Sequence, residues 1–468
     1  MKVRDYPRLR RWRRTNSVTY VEHPTRYVLM MAYLSISLLL SVSILLVCTQ
    51  TEGDIAPEFE LAPDTSGFYQ SNPSLVVTSS GVVYVAWDEE IDGASEIFVT
   101  RSVDGADTFE QPIQLTDSNG QSDQTKPVLG LGPGSILVVA WEDRTDGDSD
   151  VYVSKSEETW GSFAQPVEAS DGPDGSDQIY PSLAVDGLGN IHVAWEDLRA
   201  DEDIRTSSAS TATLTFGASV KVNDDAGNSL QHEPSISVDE NNHIYIAWYD
   251  RREFTPYIYV SKSTDGGTSY IANIPVDNQV ADAPQFEPSI KVSNGEIFAV
   301  WQDRRDEDGQ DIYFASASVQ DLAFSDGVRV SGGQGPFSQH APNLYVGRDD
   351  TIHVVWEDFR GEANNIYYAF SKNGGQSFVE EKANSFPGSF LLEKSGPELA
   401  VDSQGLVYIV WEDERTGDSK IMMATGSPGG DGEDTDQSLD PLLIVALIIP
   451  IIALVVAFWS WRIKKGQD

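Results

Sequence analysis

The polar residues whose spacing could do chemistry fall just after seven tryptophans. WEDR (141–144), WEDLR (195–199), WYDRR (248–252), WQDRR (301–305), WEDFR (356–360) and WEDER (411–415) each place an arginine shortly after an acid. The second residue past each Trp is acidic: Glu89, Asp143, Asp197, Asp250, Asp303, Asp358 and Asp413. A guanidinium forks two donors onto a carboxylate, so such residues can grip an anionic ligand or tie the protein to itself. Repetition in nearly every unit favours the tie between neighbouring units, because catalysis needs asymmetry. The asymmetry lies in units four and five. There Tyr249 and Gln302 replace the acid directly after Trp, and the arginine is doubled as Arg251/Arg252 and Arg304/Arg305. A second ring stands three residues ahead of a repeated proline: Gln70, Gln124, Gln178, Gln231, Gln285 and Gln339, with Lys394 in the seventh unit. These amides can satisfy loop groups or line a central opening. His232 and His340 follow ring glutamines. The candidate ligand-binding set is therefore Arg251, Arg252, Arg304, Arg305, Gln231, Gln285, Gln302 and His232, suited to a carboxylate or a sugar.

No motif calls for an organic cofactor. Calcium is the one ion for which Asp-rich loops offer oxygens, at Asp146, Asp148 and Asp150 and at Asp303, Asp306, Asp308 and Asp311. Neither set has a recognised loop spacing, and solvated surface charge explains them as well. The single cysteine excludes a disulfide scaffold and a multi-cysteine zinc site.

The elements that position these residues follow from the period. Trp87, Trp141, Trp195, Trp248, Trp301, Trp356 and Trp411 end apolar runs such as VYVAW and IYIAW, at spacings of 53 to 55 residues. A fixed period of this size built from strands marks a propeller or solenoid. Each unit reads as four strands: a proline-led segment, the Trp run, an alternating segment such as YIYVSKS, and a short one such as VKVND. The expected fold is all-β, a seven-bladed β-propeller over 58–425. The seventh unit ends after its third strand, while Phe59-Glu60-Leu61 looks like a fourth strand. Residues 58–62 are thus expected to complete the last blade and remove an open edge. The tryptophans read as packing between blades.

Two apolar runs flank this domain, at 27–48 and 441–461, each long enough for the roughly 20 residues a bilayer core takes. They are expected to be transmembrane helices, the first an uncleaved signal anchor. Eight basic residues in 1–26 precede the first run, and Arg462, Lys464 and Lys465 follow the second in 462–468. Basic flanks stay inside, so both termini are expected in the cytoplasm and the propeller outside. Linkers are assigned to 49–57 and to the acidic, Gly-rich 426–440. The chain has 73 acidic and 32 basic residues, a formal charge of −41. That excludes nucleic acid as a partner, since phosphate binding needs a basic footprint. The exported part is more acidic still, because the tails hold eleven of the bases and only three of the acids. By the strand order, both tethers leave one face, so the face carrying the Trp-proximal loops points away from the membrane.

Three hairpins, Ser263-Thr-Asp-Gly-Gly-Thr-Ser-Tyr270, Ser371-Lys-Asn-Gly-Gly-Gln-Ser-Phe378 and Ser102-Val-Asp-Gly-Ala-Asp-Thr-Phe109, resemble the Asp-box of the sialidase-like (BNR-repeat) superfamily. The resemblance covers about 58–425 and implies a propeller. Sialidases of that family have six blades, three arginines on the substrate carboxylate, an aspartate acid/base and a tyrosine–glutamate nucleophile pair. The pair that the resemblance nominates here is Tyr249 with Glu233, while seven units and the lack of an Arg-Ile-Pro-type motif depart from the enzymes. The expected function is that of a recognition or scaffold module for a surface glycan or protein, at the face away from the membrane. The alternatives are an exo-sialidase-type hydrolase and a purely structural envelope protein.

Overall fold

The computed structural model describes residues 58–428 apart from short internal stretches, the longest being 62–68 and 385–393. The apolar runs 27–48 and 441–461 and the tails beyond them lie outside the described residues. No helix among the described residues is long and apolar enough to cross a membrane.

Seven four-stranded antiparallel sheets follow one another along the chain. Their innermost strands are Gln70–Val77, Gln124–Gly132, Gln178–Val185, Gln231–Val238, Gln285–Ser293, Gln339–Val346 and Lys394–Val401, so each begins at a member of the Gln/Lys ring. We number the blades one to seven in that order. Phe59–Glu60 pairs with Lys420–Gly426, Phe59 opposite Met423, and supplies the fourth strand of blade seven. The two ends of the domain therefore close one blade, as the sequence leads one to expect, and blade seven has four strands like the others.

The second strand of each blade is covered on both faces, which is why it reads as an unbroken apolar run. All seven Trp side chains are fully buried. Each packs into the preceding blade: Trp301 against Ala247, Ile258 and Val260 of blade four, and Trp87 against Val410, Ile421 and Met423 of blade seven. The ring is closed by this repeated lock.

The proline-led segment has a separate reason. Its inner strand bulges at the proline in every blade, as between His232 and Ser235. The residue before proline takes a left-handed conformation: Asn72, Lys126, Tyr180, Glu233, Glu287, Ala341 and Gly396 all have φ between 48° and 57°. A bulge re-aims a side chain and suits proline, which has no ladder N–H to offer. The residue after proline then stitches blades together. Ser74, Ser182, Ser235 and Ser289 accept the Leu129, Ile236, Ile290 and Leu344 amides of the next blade.

The three Gly-containing hairpins share one bonding pattern. In the first, Gly267 N–H donates to Ser263 Oγ at 2.9 Å and Ser269 N–H to the Asp265 carboxylate at 3.0 Å. Ser371/Asn373/Ser377 and Ser102/Asp104/Thr108 repeat it. These turns join third to fourth strands, on the opposite side from the Trp-proximal loops.

Candidate functional site

The Asp–Arg signature resolves into a lock for the tryptophan. One oxygen of Glu89, Asp143, Asp197, Asp250, Asp303, Asp358 or Asp413 accepts the indole N–H of the Trp two residues back. Five of these acids also bind the arginine two residues on: Arg199, Arg252, Arg305, Arg360 and Arg415. Each arginine reaches a second acid. Arg199, Arg252 and Arg305 take Asp171, Asp224 and Asp277 from the loop arriving from the previous blade, and Arg360 and Arg415 take Glu380 and Glu58. Arg252 and Arg305 also lie over the Tyr259 and Tyr313 rings. Two of the candidate ligand residues, Arg252 and Arg305, are thus committed to the fold.

The ring glutamines are likewise turned inward. Gln231 is fully buried and its oxygen accepts from Asn223. Gln285 accepts the Ile258 amide and donates to Asp277 and Asp303. Gln302 is buried, and the Gln310 amide, oriented with its oxygen towards both, accepts from Gln302 and Arg304. Gln231 and Gln285 hold loops rather than line an opening.

The remaining candidates converge. His232 and Tyr249 are cross-strand partners in blade four, with ring centroids 4.8 Å apart. Tyr249 meets Phe286 of blade five edge-to-face at 5.4 Å, and the Arg304 guanidinium lies 5.5 Å from the Phe286 ring. Arg304 and Arg251 are exposed, and among the described residues neither forms an ion pair. Glu233, the other member of the nominated pair, lies near enough for its charge to act on Tyr249. Burial, followed by the Glu233 and Glu196 charges, holds the Tyr249 hydroxyl well above its ordinary range. Burial and then the Glu287 and Glu196 carboxylates push Glu233 up to about 7.

Three neighbours of this group are invisible in the motif. His232 Nδ1 lies 3.0 Å from Glu196 Oε1, and its Nε2 lies 3.2 Å from Glu202 Oε2. Burial opposes a charged imidazole, but the two carboxylates outweigh it and His232 titrates above its ordinary value. Phe286 joins blade four to blade five. Glu196 belongs to the repeated WED and looks ordinary; the one signal is its blade-four neighbour, the only ring-adjacent position besides 340 to hold histidine.

The acid directly after Trp explains why that position matters. Asp88, Glu142 and Glu357 accept the backbone amide of the left-handed residue in the next blade, Lys126, Tyr180 and Gly396. Tyr249 and Gln302 cannot do this with a carboxylate. Glu287 substitutes at one of these junctions by accepting the Ala341 amide at 2.6 Å. The repeat is therefore broken at the mouth of the ring where, among the described residues, Arg251 and Arg304 form no ion pair.

The exposed aromatic side chains among the described residues are Tyr69, Tyr180, Phe254, Phe337 and Phe359. All five sit on segments entering an inner strand or leaving a second strand, hence on the Trp-loop face. Of the proposed calcium loops, Asp303 and Asp311 are ion-paired with Arg305 and Arg329, and Asp148 accepts the Gly175 and Ser176 amides. Among the described residues, Glu196, Glu202 and His232 are the one group whose donor atoms gather as metal ligands do, all within 4.8 Å of one another.

Comparison with protein-family models finds no match, and no curated protein matches the sequence. Solved structures do match. A polysaccharide lyase, PL25 ulvan lyase, superposes with a TM-score of 0.56 at 10% identity, over 80% of this chain and 97% of its own. A protein of unknown function from Dyadobacter fermentans gives 0.51 at 14% identity, over 80% and 98%. A Trypanosoma rangeli sialidase aligns at 0.44 and 11% identity, over 66% and 57%. The chain is a seven-bladed all-β propeller. Its course is similar to that of a polysaccharide lyase.

Proposed function

We propose that this chain is a membrane-tethered propeller that recognises a carboxylate-bearing surface glycan outside the cell, at the mouth of blades four and five. The observation that carries this reading is the pair Arg251 and Arg304. Both are exposed and free of ion pairs among the described residues, while five arginines of the same repeat are tied to two acids each. They flank the stacked run His232–Tyr249–Phe286. Aromatic faces and fixed guanidinium donors are what a sugar ring bearing an acid group would use. The five exposed aromatics on the same face add apolar surface of the kind enriched at recognition sites. Local arginines also answer the difficulty that a chain of charge −41 repels anionic polymers at long range. The apolar runs 27–48 and 441–461 with their basic flanks support the tether and the outward face.

The test is calorimetric titration of the full chain with uronate-containing and neutral oligosaccharides. Binding of the acidic series alone, lost in Arg251→Ala and Arg304→Ala, supports the reading; no binding in either series overturns it.

Hydrolysis of a sialoside is the second reading, favoured by the approach of Glu233 to Tyr249. It needs a third guanidinium on the substrate carboxylate, and Arg252 and Arg305 are already held by two acids each. Turnover of a chromogenic sialoside by the full chain, abolished by Tyr249→Phe, would favour hydrolysis over binding alone.

A further inference from the structure

We propose that Glu196, Glu202 and His232 form a divalent-cation site of the zinc or manganese class at the junction of blades three and four. Three separate places supply the ligands. Glu196 lies on the second strand of blade three, Glu202 on the loop after it, and His232 on the inner strand of blade four. Their donor atoms nonetheless gather within 4.8 Å. Around a tetrahedral ion with bonds of about 2.1 Å, donors stand roughly 3.4 Å apart. The His232 contacts of 3.0 Å to Glu196 and 3.2 Å to Glu202 use different ring nitrogens, so one ion would keep one of them and draw the other carboxylate in from within the 4.8 Å cluster.

A second observation points to a ligand. Glu196 is only 3% exposed, and among the described residues its Oε2 has no hydrogen-bond donor. A buried carboxylate oxygen without a donor is costly. The equivalent acids of blades one, two and six do not face this problem, because a backbone amide of the next blade donates to each. Only blade three turns the acid from that amide to a histidine. Glu233, the next residue along, presents a second buried oxygen, Oε2, that has no donor. A bound cation would satisfy Glu196 Oε2 and offset the charge gathered around it.

The donor set decides the ion. Calcium takes six to eight oxygens, whereas one imidazole nitrogen with carboxylate oxygens suits zinc or manganese. As described, each ring nitrogen of His232 faces a different glutamate. Binding would need one of them, unprotonated, on the ion, so metal affinity should fall as pH is lowered. The inference does not depend on the glycan reading, since the ion alone is the probe.

The experiment is calorimetric titration of the chelator-treated full chain with Zn²⁺ and with Mn²⁺. The expected result is one site per chain standing clear of the weak background on an acidic surface, with affinity reduced at least tenfold in Glu196→Gln and in Glu202→Gln. Glu202 is about one-third exposed on a loop, so Glu202→Gln should fold and decides the matter if Glu196→Gln does not. Asp146→Asn, an acid of another loop, should leave the site unchanged. Cobalt in place of zinc should give visible absorption in the parent chain that Glu202→Gln abolishes. No one-to-one site, or a site that Glu202→Gln leaves intact, overturns the proposal.

Discussion

His232 stands opposite Tyr249 across the first two strands of blade four, ring centroids 4.8 Å apart, at a position where blades one, two and seven pair an acid with serine or threonine. The relationship exists because unit four replaces the acid after Trp. A carboxylate there would take the next blade's bulge amide, as Glu142 takes that of Tyr180. The phenol instead leans on Phe286 and carries an aromatic surface from blade four to blade five. Tyr249→Phe should keep this surface and the glycan affinity of a pure binding site. Tyr249→Ala should reduce affinity about tenfold or more, since truncating an aromatic anchor of a binding surface costs about 2 kcal/mol or more. Titration of both variants with the same acidic oligosaccharide checks it.

The paired arginines of blade five should separate cleanly. Arg305 is tied to Asp303 and Asp277, whose side chains are almost wholly inaccessible. Removing one partner of a buried pair strands the other charge and costs about 3–5 kcal/mol. Arg304 is exposed and touches Gln310 and the Phe286 ring; surface changes of that kind stay within about 0.5 kcal/mol. Arg305→Ala should therefore lower the denaturation midpoint sharply, and Arg304→Ala should scarcely move it while weakening ligand binding. Urea melts of the two variants side by side give the answer.

The doublet also shows where sequence reading stops. The period was legible because Trp and Pro recur for mechanical reasons, one locking each blade to the last and the other seating a bulge. The closing strand was legible because Phe59 repeats the pattern of other fourth strands. Arg251 and Arg252 look alike in sequence, yet a loop turn sends only Arg252 to Asp250 and Asp224. The bulge likewise hides which way the inner-strand side chains point, so Gln231 and Gln285 read as lining residues though they are buried. Glu202 carries no pattern at all, since only the folded loop brings it to His232.

Gly375 should be among the least replaceable residues of the outer turns. It has φ +82°, and an added Cβ would stand 2.0 Å from the Phe314 ring of the neighbouring blade. Its neighbour Gly374 also has positive φ, +69°, but open space around it. A left-handed non-glycine residue costs roughly 1–2 kcal/mol, and overpacking adds about 1–3 kcal/mol. Gly375→Ala should thus destabilise by about 2–5 kcal/mol and Gly374→Ala by only about 1–2 kcal/mol. Equal effects in thermal melts would mean that the Phe314 contact is not what restricts position 375.

Stability should fall as pH rises through neutrality, because several carboxyls inside the ring are held in their neutral form. Burial, followed by the Glu412 and Glu142 charges, pushes Asp88 up to about 7 against hydrogen bonds from Asn72 and Lys126. Burial likewise pushes Glu398 up to about 7, with Lys291 pulling the other way. Glu412 is raised too, chiefly by burial. A carboxyl whose folded value lies above its unfolded one binds its proton more tightly in the native state. Its contribution is complete below the unfolded value, near 4, and is lost as pH climbs through about 7. Asp171 acts in the opposite sense, lowered to about 2 by Arg199 and Ser219 against the cost of burial, so it favours the fold above about pH 4. Buried His192, His340 and His353, held below the ordinary imidazole range chiefly by burial, act against the fold as pH falls below about 6.5, so the decline is expected from about pH 6.5 to 8. Urea melts of the full chain across that range should show it, and Asp88→Asn, which keeps the site neutral at every pH, should flatten the decline. A midpoint that rises from pH 6.5 to pH 8 would show that these carboxyls are not held neutral in the native ring.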